Sequence, residues 1–260
     1  MNIGYLGFGA MGSAMAEGFA NYAPAVQSGA ITQYAYAPHG DKLRRRASEI
    51  GVVSCASAEE LTARCDMIVL ACKPYQVEQA VRTLDLRGKA VVSLANTWTR
   101  DRLKALLGDD ARVQYIMPNI PMKIGKGTVL LAEENDLASA ERETLRTLLE
   151  AVSAVIELPE EKIPAANAIT GCGPAFLYMV IEALGDAGVK HGLSRRAAYE
   201  LAAGAMVGAG EMVLHERDAH PGALKDAVCS PAGITIRGVA SLEESGMRGA
   251  FLRAVDAVLQ

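Results

Sequence analysis

Short apolar runs alternate with helix-length stretches through the first 158 residues, and then the alternation stops. The runs are Asn2–Leu6, Ile31–Tyr36, Met67–Cys72, Ala90–Ala95, Arg112–Ile116, Thr128–Ala132 and Ala154–Leu158. Several are apolar throughout, as strands covered on both faces must be. Between them Asp41–Glu49, Tyr75–Leu84, Thr99–Leu107 and Leu137–Glu150 read as helices. This order predicts a mainly parallel sheet with right-handed crossovers. Beyond Pro159 only helices, caps and breakers follow. Pro174 suits a first helical turn, Gly192 a helix end, and Ser194 the cap of a helix starting at Arg195. Glu157–Lys162 is the boundary candidate, giving domains 1–158 and 159–260.

Small residues crowd one helical stretch: Ala202, Ala203, Gly204, Ala205, Gly208, Ala209 and Gly210. Glycine there costs about 1 kcal/mol relative to alanine, and close approach by another helix is the expected return. An all-helical half of this kind is expected to pack against a second subunit.

Composition narrows the function classes. With 50% hydrophobic and 22% charged residues and a net charge of −4, the chain carries no general field for nucleic acid or an anionic membrane. No run of about 18 uninterrupted apolar residues occurs, so no membrane partner is expected. The five cysteines form no CxxC pair, and the four histidines are scattered, so no metal site is expected. The thiols are expected to stay reduced in a cytoplasmic protein, since no basic leader precedes the apolar start.

Gly7-Phe8-Gly9-Ala10-Met11-Gly12 fits GxGxxG between a strand and the helical stretch Ser13–Ala20. The first glycine permits the tight turn, the second lets the backbone approach a pyrophosphate, and the third lets the helix pack on the strand. Free N–H groups at the helix start then face the anion. Gly7, Gly9, Ala10, Met11 and Gly12 are therefore cofactor-binding candidates. An acid about 20 residues on would hold the ribose of NAD. The second strand ends instead at Tyr36-Ala37-Pro38-His39-Gly40, with Asp41, Lys42, Arg44, Arg45 and Arg46 beyond. The missing acid and nearby bases favour NADP, with NADPH preferred over NADH. His39 and the arginines are the candidates to face a 2′-phosphate. Cys72, Lys73 and Pro74 end one strand and Ala95 another, where ligands of open α/β sheets bind.

These stretches, with Met117-Pro118-Asn119-Ile120-Pro121, Thr170–Phe176, Ile181–Val189 and Val228–Gly238, resemble the pyrroline-5-carboxylate reductases over essentially the whole chain. The resemblance implies an α/β Rossmann domain followed by an all-α dimerisation domain, with dimers that often assemble into decamers. It implies NAD(P)H-dependent reduction of the small-molecule substrate 1-pyrroline-5-carboxylate to L-proline. Carried over by motif, Ser230, Gly233, Ile234 and Thr235 surround the substrate, and the Thr235 hydroxyl bonds the ring nitrogen as the catalytic candidate. Ser230 as a cap and Pro231 in a first helical turn would offer N–H donors to the substrate carboxylate.

Several positions depart from the family pattern: Ala232-Gly233 where two glycines are common, Ile234, Cys172, Asn96-Thr97 and Ala58. Cys172 and Cys229 are expected to be packed small residues rather than redox switches. Two other readings remain: a reductase of another cyclic imine, and a non-catalytic NADP-binding sensor. A β-hydroxyacid dehydrogenase is disfavoured, because Gly171 to Glu182 holds no lysine or asparagine.

Overall fold

The structure is a computed structural model and describes residues 1–216 and 218–260. Contacts divide it into two units, Met1–Gly171 and Cys172–Gln260.

The first unit is built on β1 (Asn2–Leu6), β2 (Thr32–Tyr36), β3 (Val53–Ser54), β4 (Met67–Leu70), β5 (Ala90–Ser93), β6 (Arg112–Pro118), β7 (Gly127–Asn135) and β8 (Ser153–Leu158). They form one eight-stranded sheet in the order β3-β2-β1-β4-β5-β6-β7-β8. The helices are α1 (Ala10–Tyr22), α2 (Pro24–Gln27), α3 (Gly40–Glu49), α4 (Ala58–Arg64), α5 (Val77–Val81), α6 (Arg100–Leu107), α7 (Ser139–Glu150) and α8 (Ile163–Thr170). All seven predicted runs are strands. The short edge strand β3 carried no apolar run to announce it. The predicted helix Tyr75–Leu84 is a 3-10 turn at Pro74–Gln76 followed by α5.

Neighbouring strands are parallel except β6 and β7, which are antiparallel. The reason is the connection. Only Asn119–Lys126 joins them, a 3-10 turn ending at Gly125 with φ +70°, far shorter than a parallel crossover needs. The central strands β4 and β5 are buried at every position. Alternate residues feed two cores: Tyr5, Val69 and Val92 pack with Met15 and Phe19 on one face, and Leu6, Ile68, Leu70 and Val91 pack with Leu61 and Leu103 on the other.

The contact boundary lies beyond the expected 158/159. Ile163 and Ala166 of α8 pack with Tyr115, Met117 and Leu130 of the sheet. Asn119 adds a tie: its Nδ2 donates to Thr170 O (2.9 Å), and its Oδ1 accepts from Thr128 N (2.8 Å). A helical pattern alone does not say which unit a helix joins.

The second unit contains α9 (Gly173–Lys190), α10 (Arg195–His215), α11 (Pro221–Ala227), α12 (Ile234–Glu244) and α13 (Met247–Leu259). The predicted punctuation is present. Pro174 lies in the first turn of α9, Gly192 follows it at φ +91°, and Ser194 Oγ caps α10 by accepting from Ala197 N (3.3 Å). α9 and α10 approach closely where side chains are small: a Cβ on Gly188 would lie 2.9 Å from that of Ala198. Yet only Gly185, Ala198 and Ala202 are buried among the described residues of this unit. Tyr178, Met179, Leu201, Leu214 and Leu252 are exposed. A unit with so little core does not bury enough apolar surface to hold its own fold.

By length and composition alone Glu160–Lys190 is apolar enough to cross a membrane. Small and polar residues interrupt its apolar run, but no charged residue stands between Lys162 and Glu182. Length and composition do not separate a bilayer-spanning helix from one covered by protein.

Inside the first core, Tyr5 OH donates to Gln33 Oε1 (2.6 Å), and Gln33 Nε2 donates to Ala16 O (3.1 Å). Tyr5 is fully buried. Tyr5→Phe leaves the Gln33 oxygen without its donor and is expected to lower stability by about 1–3 kcal/mol in a urea unfolding curve.

Candidate active site

β1 ends at Leu6, and the chain turns through Gly7 at φ +98°, where L side chains are strained. A Cβ on Gly7 would also lie 2.6 Å from Cys72 N. Gly9 is the N-cap of α1 in extended backbone, with open space where its side chain would be. A Cβ on Gly12 would lie 2.7 Å from Gly7 O and 3.1 Å from Ala71 Cβ. Turn, open approach and close packing are thus the roles the three glycines play. α1 has no side-chain cap and no acid in its first turn. Ser13 N donates to Gly9 O (3.0 Å), so the N–H groups of Ala10, Met11 and Gly12 stand ahead of the first helical bond and face an approaching anion. This cradle fits a dinucleotide pyrophosphate.

At the end of β4, Ala71 N donates to Leu6 O (2.9 Å), which draws Cys72 beside the glycine turn. Burial pushes the Cys72 thiol pKa up, against a smaller opposing pull from its backbone N–H. A neutral packed thiol is the result, not a reactive thiolate. Lys73 is exposed. Pro74 opens the 3-10 turn, and Gln76 Oε1 accepts from Lys73 N (3.3 Å).

Beyond β5, Ala95 is buried and its carbonyl accepts from Trp98 N (3.1 Å), closing a turn. Thr97 within it has φ +73°, an unusual conformation for a β-branched residue. The Trp98 indole N–H donates to Pro74 O (2.7 Å). The sequence reading did not single out Trp98, because its partner lies outside its own segment. The glycine turn, the Cys72-Lys73-Pro74 loop and the Ala95 turn therefore stand together at the carboxyl ends of β1, β4 and β5. Strand order reverses between β1 and β4, the point where open α/β sheets bind ligands.

Beyond the end of β2 the acids near the basic run are already paired. Asp41 pairs with Arg44, and Arg46 is drawn to Glu17 (2.5 Å) and Glu49 (3.1 Å). Arg44 folds back over the start of α3, its Nη1 3.2 Å from where a Cβ on Gly40 would be. His39 is the N-cap of α3, and its side chain makes no cap bond.

In the second unit Ser230, Gly233, Ile234 and Thr235 share one turn and the helix start that follows. One expectation is corrected here: Pro231 does not open the helix. Ser230 O accepts from Gly233 N (3.0 Å), closing a turn with Pro231 and Ala232 at its centre. Proline favours the first central position, and the second, where Ala232 has φ +57°, is ordinarily given to glycine. Gly233 is the N-cap of α12, without a side-chain cap, so Ser230 lies ahead of the cap. Ile234 and Thr235 are exposed in the first turn of α12. Among the described residues no group of three or more His, Cys, Asp or Glu side chains is placed to hold a metal ion.

Known proteins match this chain along its whole length. Residues 160–260 match the family described as pyrroline-5-carboxylate reductase dimerisation, and residues 2–97 that described as NADP oxidoreductase coenzyme F420-dependent. The pyrroline-5-carboxylate reductase of Treponema pallidum is 40% identical, covering 100% of this chain and 99% of its own. That of Escherichia coli is 32% identical over 99% of this chain and 96% of its own. The solved pyrroline carboxylate reductase of Plasmodium falciparum with NADP bound superposes with a TM-score of 0.88 at 31% identity, covering 100% of this chain and 95% of that one.

The glycine turn generates a direct prediction. Gly7→Ala adds strain of about 1–2 kcal/mol at a positive φ and a methyl group against Cys72. It is expected to weaken NADPH binding about tenfold or more in titration calorimetry, while a Gly9→Ala change, facing open space, leaves the fold intact.

Proposed function

The chain belongs to the pyrroline-5-carboxylate reductase family, an NAD(P)H-dependent oxidoreductase of a C=N bond, and we propose how its own residues divide that work. The reaction is reduction of 1-pyrroline-5-carboxylate to L-proline. The observation that carries the reading is the intact cradle at Gly7, Gly9 and Gly12 in a chain that aligns end to end with its relatives.

The first unit binds the coenzyme. The N–H groups of Ala10, Met11 and Gly12 receive the pyrophosphate, and the Cys72-Lys73-Pro74 loop and the Ala95 turn flank it. When bound, the coenzyme supplies the hydride. NADPH is the preferred form on this reading, because the end of β2 offers His39 and the folded-back Arg44 and no free carboxylate. An arginine meets a phosphate with several donors at once. Arg44 must exchange its exposed partner Asp41 for the phosphate, a small loss for a surface ion pair.

In the second unit, the uncapped start of α12 receives the substrate carboxylate, with Ser230, Gly233 and Ile234 around the ring. The Thr235 hydroxyl holds the ring nitrogen. A protonated imine is already electrophilic, so Thr235 orients it and no strong general acid is required. The exposed apolar side chains of the helical unit are covered by a second copy of the chain, making a homo-oligomer whose basic unit is a dimer; decamers are its further assembly. A cytoplasmic enzyme of amino-acid biosynthesis fits this account.

The reading is tested by following NADPH consumption with pyrroline-5-carboxylate, and with its six-membered homologue, by coenzyme absorbance. Turnover of the five-membered imine is expected. Binding of NADPH with no reduction of either imine would indicate a sensor. Thr235→Ala is expected to lower kcat/KM for the imine by about tenfold to a hundredfold, as loss of a hydrogen bond to the bound substrate does, with NADPH affinity unchanged. Arg44→Ala is expected to raise the KM for NADPH and leave that for NADH unchanged. Equal effects on both coenzymes would remove Arg44 from the phosphate site.

A further inference from the structure

Trp98 is the chain's single tryptophan and it ties two loops together. Its ring is buried among Leu70, Val77 and Leu103. Its indole N–H leaves that cluster to donate to Pro74 O at 2.7 Å. Pro74 closes the loop after β4, and Trp98 closes the turn after β5, so one side chain fixes the distance between the ends of two adjacent strands. The arrangement is braced from outside. The Arg102 guanidinium lies over the indole at 4.1 Å from its centre, and Arg102 Nη1 donates to Thr97 O (3.2 Å). Thr97 between them keeps φ +73°, a conformation that persists where the surroundings over-determine it. A buried indole usually finds some acceptor. Here that acceptor is the carbonyl of a coenzyme loop rather than of the core beneath it.

We propose that Trp98 is a positioning residue of the coenzyme site, setting the spacing between the Cys72-Lys73-Pro74 loop and the Ala95-Asn96-Thr97 turn. The inference rests on the reading that these two loops flank NADP(H). Trp98 touches no reacting atom and acts through the Pro74 carbonyl. Without the indole N–H that carbonyl loses its donor and the loop its anchor. Small displacements of positioning elements weaken binding and slow transfer alike.

Trp98→Phe keeps a large aromatic ring and removes the donor. Titration calorimetry with NADPH is expected to show Kd raised about tenfold, while the KM for the imine is unchanged. Arg102→Met, at an exposed position, is expected to raise the NADPH Kd in the same direction by a smaller factor. A purely structural tryptophan would lower the melting temperature and leave the NADPH Kd at its wild-type value in both variants; that result overturns the proposal. If Trp98→Phe does not fold, Arg102→Met decides alone, and an unchanged Kd overturns it. Failure of the functional reading looks different. Wild-type protein that binds NADPH but reduces no pyrroline leaves the calorimetric result standing. Wild-type protein that does not bind NADPH overturns both.

Discussion

Two strand ends of the first unit approach each other backbone to backbone, and the site depends on it. Gly7 passes so near the backbone of Cys72 that no side chain fits between them. This contact brings the end of β1 against the end of β4 at the reversal of strand order. It also aims α1 so that its uncapped N-terminus opens beside both loops. Ala71 N bonded to Leu6 O and Gly12 packed on Gly7 O hold the same corner. The anion cradle therefore costs the chain side chains rather than adding them. Polar side chains are not needed where backbone donors and a helix dipole face the charge.

The second unit obeys a different constraint. Its helices bring small residues together at Gly188 and Ala198, but leave long apolar side chains at the surface. A fold of that kind is completed by association. The match of residues 160–260 to a dimerisation family supplies the partner that the exposed surface calls for. Among the described residues a positive φ at a non-glycine position is found once in each unit, at Thr97 and Ala232, and both lie in loops proposed for the site. Both lie in stretches noted in the sequence as departures from the pattern it resembles, so those departures have a physical expression in the backbone.

What could be read in the sequence followed local chemistry. The three glycine roles, Pro174, Gly192 and Ser194 each depend on a few consecutive residues, and each is where the pattern put it. What could not be read depended on distant partners or on choices with one sequence signature. Proline after serine suits both a helix start and the first central position of a turn; Ala232 at φ +57° shows the turn was chosen. An apolar run has no direction, so the reversal of β7 was hidden until the length of its connection was weighed. α8 has the pattern of a helix wherever it packs, and its contacts with the sheet carry the first compact unit on to Gly171. Trp98 carries no local signal at all, since its partner carbonyl belongs to the preceding strand's loop.

The account assigns the chain a single chemical act, transfer of a hydride from a nicotinamide to the imine carbon of a five-membered ring. That act can be followed in the atoms. NADPH carrying deuterium at the transferable position of its nicotinamide would be incubated with the enzyme and pyrroline-5-carboxylate, and the product examined by mass spectrometry and NMR. The account predicts proline bearing one deuterium on the former imine carbon. Coenzyme oxidised without labelled proline, or proline formed without the label, would contradict it.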